Sequence, residues 1–147
     1  MSGNQVKSCG VIIFYNDQIV IVKSRKNKYS FPKGKQKKGE DNYSTALREL
    51  YEESSLLESD LEFLYHNNEY ITFIEEKPRK KVFYYLAILK NKKKLDPIDK
   101  DEILEALYID VEKGIHLSSF NPQRKELLKQ SYELVSQKFK EKLEKYS

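Results

Sequence analysis

Between Lys23 and Lys38 the chain carries eight basic residues, and soon afterwards it gathers carboxylates at Glu49, Glu52 and Glu53. The reversal of charge sits on a fixed spacing: Gly34, five residues, Glu40, seven residues, and then Arg48-Glu49-Leu50-Tyr51-Glu52-Glu53-Ser54-Ser55-Leu56. No other stretch restricts the possible folds as much. From Tyr43 the pattern is helical, with Asp41 or Asn42 available as the N-terminal cap. Leu47, Leu50, Ser54 and Leu57 fall on one face at spacings of three or four, and Leu47 and Leu50 turn into a core. Glu49, Glu52 and Glu53 share another face. Carboxylates packed this closely repel one another, and they persist either in water or around a hard cation, of which Mg²⁺ and Mn²⁺ prefer oxygen ligands. Arg48 can reach Glu52 one turn on and hold it by a forked hydrogen bond. The glycine-containing loop ahead of the helix lets backbone amides and carbonyls approach a metal or a phosphate. A site for a metal-bound polyphosphate needs both signs of charge, kept apart and held close.

A pair of glutamates on a helix is ordinarily a solvated face. The joint spacing argues otherwise, because six prescribed Gly, Glu and Arg positions at roughly 6% usage each give a chance match on the order of 10⁻⁵ in a chain this long.

The rest of the chain supplies strands and one long helix. "VKSCGVIIFY" and "QIVIVKS" are β-branched runs joined by Asn16-Asp17 and predict a hairpin. "NKYSFPKGKQKKGEDN" is a loop. "LEFLYHN", "EYITFIEE" and "KVFYYLAILK" predict three further strands with "KPRK" as a turn, and "ILEALYID" a last one. Asn121-Pro122 is a helix start, followed by an apolar stripe at Leu128, Val135, Phe139 and Leu143 and a solvated tail. With 147 residues, 39% of them hydrophobic and 34% charged, the chain has material for one globular domain over residues 1–147. The net charge of +4 favours anionic partners. Cys9 is the one cysteine, which excludes a disulfide framework and points to a small core residue. No apolar run reaches 18 residues and the N-terminus is polar, so a membrane span and a signal peptide are not expected; a reducing, cytoplasmic compartment is.

The segment Gly34–Leu56 resembles the Nudix box, the signature of the Nudix hydrolase superfamily, with Ser55 in place of the box's last glycine. The strands before it and the closing helix agree with that family's order of elements. The resemblance implies an α/β fold, an α/β/α sandwich with a mixed β-sheet, the box helix and a long C-terminal helix. It implies hydrolysis, dependent on Mg²⁺ or Mn²⁺, of a nucleoside diphosphate linked to some other group. By resemblance Glu52 and Glu53 are metal ligands, Glu49 is a ligand or activates water, Arg48 and Glu40 orient these carboxylates, and the backbone carbonyl of Lys33 is a further ligand. The box glycine usually adopts a left-handed conformation, which costs a residue with a Cβ roughly 1 kcal/mol; Ser55 removes no catalytic group, so an active enzyme is expected.

Outside the box, Glu102 lies six residues before Tyr108, a spacing similar to that in decapping-type Nudix catalytic domains, and is a candidate metal ligand or general base. "YSFPKGK" resembles decapping-type Nudix enzymes, and related wording occurs in diadenosine tetraphosphate and diphosphoinositol polyphosphate hydrolases. Capped RNA is ranked first, ahead of dinucleoside polyphosphates and inositol pyrophosphates; a non-catalytic nucleotide- or RNA-binding module is the reading from another class, and the intact glutamates speak against it. Lys23, Arg25, Lys33 and Lys35 are expected to hold substrate phosphates, and the basic residues at 79–81 and 92–94 would suit RNA or an inositol polyphosphate. Tyr84, with Tyr15, Tyr29 and Tyr85, is a candidate for stacking on a base, although a strand tyrosine commonly packs. No obligate protein partner or membrane is implied.

Overall fold

The first strand, β1 (Val6–Tyr15), is apolar on both of its alternating faces, and a strand of that kind must lie between two layers. The computed structural model describes residues 5–146, with side chains through residue 140, and puts β1 in the middle of a sheet. It turns at Asn16, in the left-handed region at φ 51°, into β2 (Gln18–Ser24). Two short strands follow, β3 (Tyr29–Ser30) against β2 and β4 (Lys33–Lys35) against β1. Then come α1 (Asn42–Ser54), β5 (Leu61–Phe63), β6 (Tyr65–His66), β7 (Glu69–Tyr70), β8 (Thr72–Lys77) and β9 (Lys80–Leu89). The described chain ends with β10 (Ile103–Asp110), α2 (Val111–Ile115) and α3 (Pro122–Tyr146).

The sheet runs β10-β2-β1-β9-β5, with β3, β4 and β8 added beside it. It is mixed: β1 is parallel to β9, from Val6 opposite Lys80 to Phe14 opposite Ile88, and antiparallel to β2 and β4. Alternation along the strands builds two cores. Ile12, Phe14, Tyr84 and Leu86 face Leu128 and Val135 of α3. Cys9, Val11, Ile13 and Ala87 face Ala46 and Leu50 of α1. The result is the expected layering of helix, mixed sheet and helix. Among the described residues no helix is long and apolar enough to cross a membrane.

Asp41 is the cap of α1, its carboxylate accepting from the Ser44 amide at 2.8 Å. Asn121 caps α3 in the same way through Arg124 N, also at 2.8 Å. Three expectations need correction. Leu57 lies beyond α1 and is exposed, because the helix ends at Ser54. The two strands expected over 61–67 and 69–76 are each interrupted, at Leu64 and at Ile71, because residues 65–70 fold into a separate small hairpin, β6–β7, about Asn67 and Asn68, both at positive φ. The loop after β2 carries β3 and β4, since Gly34 and its neighbours pair along β1. The helix α2 was not anticipated. The side chain of Leu143 lies outside the described residues.

Candidate active site

The loop–helix unit is assembled around a missing methyl group. A Cβ on Gly34 would lie 2.0 Å from the Glu49 carboxyl carbon, so only glycine at this position lets the carboxylate lie flat against β4. Arg48 then organises the acids. Its Nε donates to Glu40 Oε2 at 2.6 Å and its Nη2 to Glu40 Oε1 at 2.9 Å, a two-point fork. Nη1 donates to Glu49 Oε1 at 2.8 Å and to both oxygens of Glu52 at 3.3 Å, and Nη2 also reaches the Lys35 carbonyl at 3.0 Å. The fork expected on Glu52 is therefore on Glu40, which the β4–α1 loop brings alongside the guanidinium. The Arg48 bond holds the Glu40 carboxyl down at about 2.

Glu53 is the buried member of the set, 6% exposed, and the Lys33 amide donates to its Oε1 at 3.2 Å. Burial first, and then the charge of Glu49, pushes the Glu53 carboxyl up to about 8. Burial raises Glu49 as well, against the pull of Arg48. Glu49, Glu53 and Glu102 line one open cleft of 440 Å³ together with Lys33, Lys35 and Arg25. A second opening, lined by Arg48, Glu49, Glu52, Asp99 and Glu102, lies on the Glu52 side of Glu49.

Glu102 reaches this place because the loop before β10 docks on the end of α1. The amides of Ile98 and Asp99 donate to the Glu52 carbonyl at 2.8 and 2.9 Å, and that of Asp96 to the Ser54 carbonyl at 3.0 Å. These bonds satisfy carbonyls that a helix C-terminus leaves open. Ser55 has φ 69°, the left-handed conformation expected of the box position, and its hydroxyl donates to the Asp96 carbonyl. The serine thus ties the Glu102 loop to the helix, which a glycine could not do.

Three of the four expected phosphate contacts line the cleft: Lys33, Lys35 and Arg25. The Arg25 guanidinium is held by the Lys100 carbonyl, at 2.9 Å from Nε and 2.5 Å from Nη2. Lys23 stands apart, its ammonium 5.6 Å over the Tyr29 ring. Tyr84 does not fit its expected role. It is completely buried, its ring edge-on to Phe31 and its hydroxyl donating to Glu75 Oε1 at 3.0 Å, so no base can stack on it; Tyr85 is buried on the other face.

A strongly basic cleft of 580 Å³ adjoins the acidic one and was not legible as a unit. Lys28, Lys33, Lys77, Lys80 and Arg124 line it, from five separate places in the chain. Lys33 is at about 7, lowered by burial first and by the charge of Lys80 next. Arg124 rests on a buried carboxylate: its Nε and Nη2 donate to the two oxygens of Glu75, each at 3.1 Å. Asn121 Nδ2 completes Glu75 at 3.2 Å.

The donors suit a divalent metal ion. They are carboxylate oxygens, crowded and partly desolvated, and the neutral bias of Glu53 is the penalty that a hard cation removes. Among the described residues no three acidic, histidine or cysteine side chains already converge at ligand distance. Arg48 Nη1 bonds Glu49 Oε1 at 2.8 Å and both Glu52 oxygens at 3.3 Å, which leaves Glu49 Oε2 outside the Arg48 contacts.

The NUDIX domain family model matches residues 5–131. Among solved structures the protein is similar to the Ap4A hydrolase of C. elegans in a binary complex, with TM-score 0.75, 22% identity, and 89% of this chain and 98% of that chain covered. It is similar to a NUDIX-family hydrolase from Clostridium perfringens, with TM-score 0.72, 15% identity, and 89% and 98% covered. A NUDIX hydrolase from Nitrosomonas europaea gives TM-score 0.68 at 17% identity, with 88% and 72% covered. At these identities the likeness is one of fold. No curated protein matches the chain.

Proposed function

The chain belongs to the Nudix family of hydrolases, and from that premise we propose that it is a single-domain, cytoplasmic pyrophosphohydrolase dependent on Mg²⁺ or Mn²⁺. The observation that carries this reading is the convergence of Glu49, Glu53 and Glu102 on one cleft that Lys33, Lys35 and Arg25 also line. Glu49, Glu52, Glu53, Glu102 and the Lys33 carbonyl are the groups that would hold the metal. The ion supplies Lewis acidity toward phosphoryl oxygen and a bound water of lowered pKa. The chain supplies the rest. Arg48 and Glu40 hold the carboxylates in register, Glu102 or a box glutamate takes the proton of the attacking water, and Lys33, Lys35 and Arg25 stabilise charge on the departing phosphate.

The geometry favours compact polyphosphates over capped RNA. The Lys92–Lys94 segment, a candidate outer contact for a long RNA, lies at the β1–β2 turn end of the sheet. There Lys92 donates to Gln18 at 3.0 Å and Lys93 pairs with Asp60 at 3.0 Å. The cleft opens at the other end, near Ser8 and Ser24. A hydrolysis panel of a diadenosine polyphosphate, a diphosphoinositol polyphosphate and capped RNAs of increasing length, with Mg²⁺ or a chelator, tests both statements. Activity in chelator on every substrate would remove the metal-dependent reading. Capped RNA as the best substrate, with kcat/KM rising with length and falling in a Lys92/Lys93/Lys94→Ala variant, would restore decapping to first place.

A further inference from the structure

We propose that the basic cleft is a binding site for a phosphate-crowded moiety that is not cut, such as a ring bearing several phosphates, while the bond to be cleaved lies over the adjoining carboxylates. The proposal rests on the hydrolase reading above and adds to it the class of group that the enzyme holds.

The cleft is built for anions. Four lysines and Arg124 line its 580 Å³ and no acidic side chain does, among the described residues; Lys33, lowered to about 7, is the lysine that is only partly charged near neutral pH. Lys33 and Lys80, together with Ser24 and Ser30, belong to both clefts, so the two form one trough and a single ligand can lie in both. The base of the trough is rigid. Arg124, 7% exposed, is fixed by its two bonds to Glu75, and Lys77 lies 3.7 Å from the same carboxylate. The Glu75 carboxylate answers Arg124, so Lys28, Lys77 and Lys80, with Lys33 in part, leave an excess of positive charge along the cleft.

The same lining is poor for a nucleobase. Base recognition uses an open aromatic face for stacking. The one ring that lines the cleft is Tyr29, which packs on the core and already carries the Lys23 ammonium at 5.6 Å. The other aromatics near the cleft floor, Phe31 and Tyr84, are fully buried. Serines 118 and 119 and the fixed guanidinium offer hydrogen-bond donors, which suit phosphate oxygens. A volume of 580 Å³ is that of a small-molecule site. Several phosphates on one small scaffold match this charge density; a base joined to the chain by a single phosphate does not.

The test uses inositol hexakisphosphate, which carries no anhydride bond, so that binding is read without turnover. Its affinity for the full chain is measured by calorimetry in chelator, beside ATP and diadenosine tetraphosphate, at two salt concentrations. The variants are Lys28→Ala, Lys77→Ala and the pair, all at exposed lysines outside the carboxylate cleft, with circular dichroism as the check on folding. Inositol hexakisphosphate should bind about tenfold or more tightly than ATP, and the paired variant should lose about tenfold of that affinity. Equal affinity for inositol hexakisphosphate and ATP, or unchanged affinity in the folded paired variant, would overturn the proposal and leave a solvated basic surface. Tighter binding of diadenosine tetraphosphate than of inositol hexakisphosphate would overturn it in favour of a nucleotide site. Because the probe has no bond to cut, these outcomes stand apart from those of the hydrolysis panel. Binding without hydrolysis would sink the reaction, and hydrolysis without this binding would sink the cleft assignment.

Discussion

Among the described residues two arginines fork on glutamate, and they do opposite things. Arg124 and Glu75 close on each other inside the molecule, with side chains 8% and 1% exposed, and Tyr84 and Asn121 take up what remains of the carboxylate. Arg48 closes on Glu40 near the surface, with side chains 21% and 19% exposed, and its remaining donors reach out to Glu49 and Glu52. The first fork is complete and anchors α3 to β8. The second is complete only toward Glu40; the glutamates beyond it are held by single or long contacts and can be handed to another cation. A carboxylate saturated by a fork is structural, and one left half-satisfied beside it is available for chemistry.

The largest expected effect tests the carboxylates that no fork saturates. Glu53→Gln keeps an oxygen for the Lys33 amide but cannot ionise against a bound cation, so kcat should fall by about 10³-fold while the fold persists. Near-full activity in this variant would erase the distinction between the two groups of glutamates. The second effect falls on stability. Glu75→Gln leaves the Arg124 guanidinium buried without its counter-charge, which should cost about 3 kcal/mol, read as a drop in Tm on thermal unfolding. Replacing both partners, Glu75→Leu with Arg124→Met, should recover most of that loss. Arg48→Met should instead abolish activity with a smaller drop in Tm, because water reaches that fork.

The two sets also respond to pH in opposite directions. Glu53 keeps its proton in the folded chain up to about 8 and releases it near the ordinary 4.5 when unfolded, so its contribution is present below 4.5 and lost as pH rises toward 8. Glu40, held at about 2, contributes above 4.5 and loses that contribution as pH falls toward 2. In chelator, Glu53→Gln should therefore gain Tm relative to wild type between pH 5 and pH 8, and the gap should shrink when Mg²⁺ is added. A gap that does not change with pH would mean that Glu53 is ionised throughout.

The smallest effect concerns Ser55. Removing its Cβ relieves about 1 kcal/mol of left-handed strain, and removing its hydroxyl loses a hydrogen bond of about the same size. Ser55→Gly should leave Tm nearly unchanged, whereas Ser55→Ala keeps the strain, loses the bond and should be less stable. A clear rise in Tm for Ser55→Gly would show that the bond to Asp96 contributes nothing to holding the Glu102 loop.

The readable part of this molecule was the part whose partners are close in sequence. Gly34, Glu40, Arg48 and the three glutamates lie within one loop and one helix, so spacing alone places them. The left-handed turn at Ser55 and the caps at Asp41 and Asn121 are local for the same reason. The closed fork was not readable. Glu75 and Arg124 are 49 residues apart, and a glutamate in a strand and an arginine in the first turn of a helix each pass for ordinary surface charges. Tyr84 was misjudged because the strand's alternation shows two faces without showing that both are covered. The basic cleft draws on β9, α3 and three other places, and only the sheet topology brings them together.

The parallel pairing of β1 with β9 has a consequence for biosynthesis. Val6 finds its partner only at Lys80, the Arg25 amide donates to the carbonyl of Glu102, and Arg124 donates to the carbonyl of Tyr29. Such long-range closures are slow to form and come late. A chain emerging from the ribosome N-terminus first exposes the glycine loop and the acidic helix well before the strands that wall them in. Those glutamates then sit on a nascent segment with no walls around them. Hydrolysis can begin only after most of the chain has been made, and the appearance of activity during translation would report that the sheet has closed.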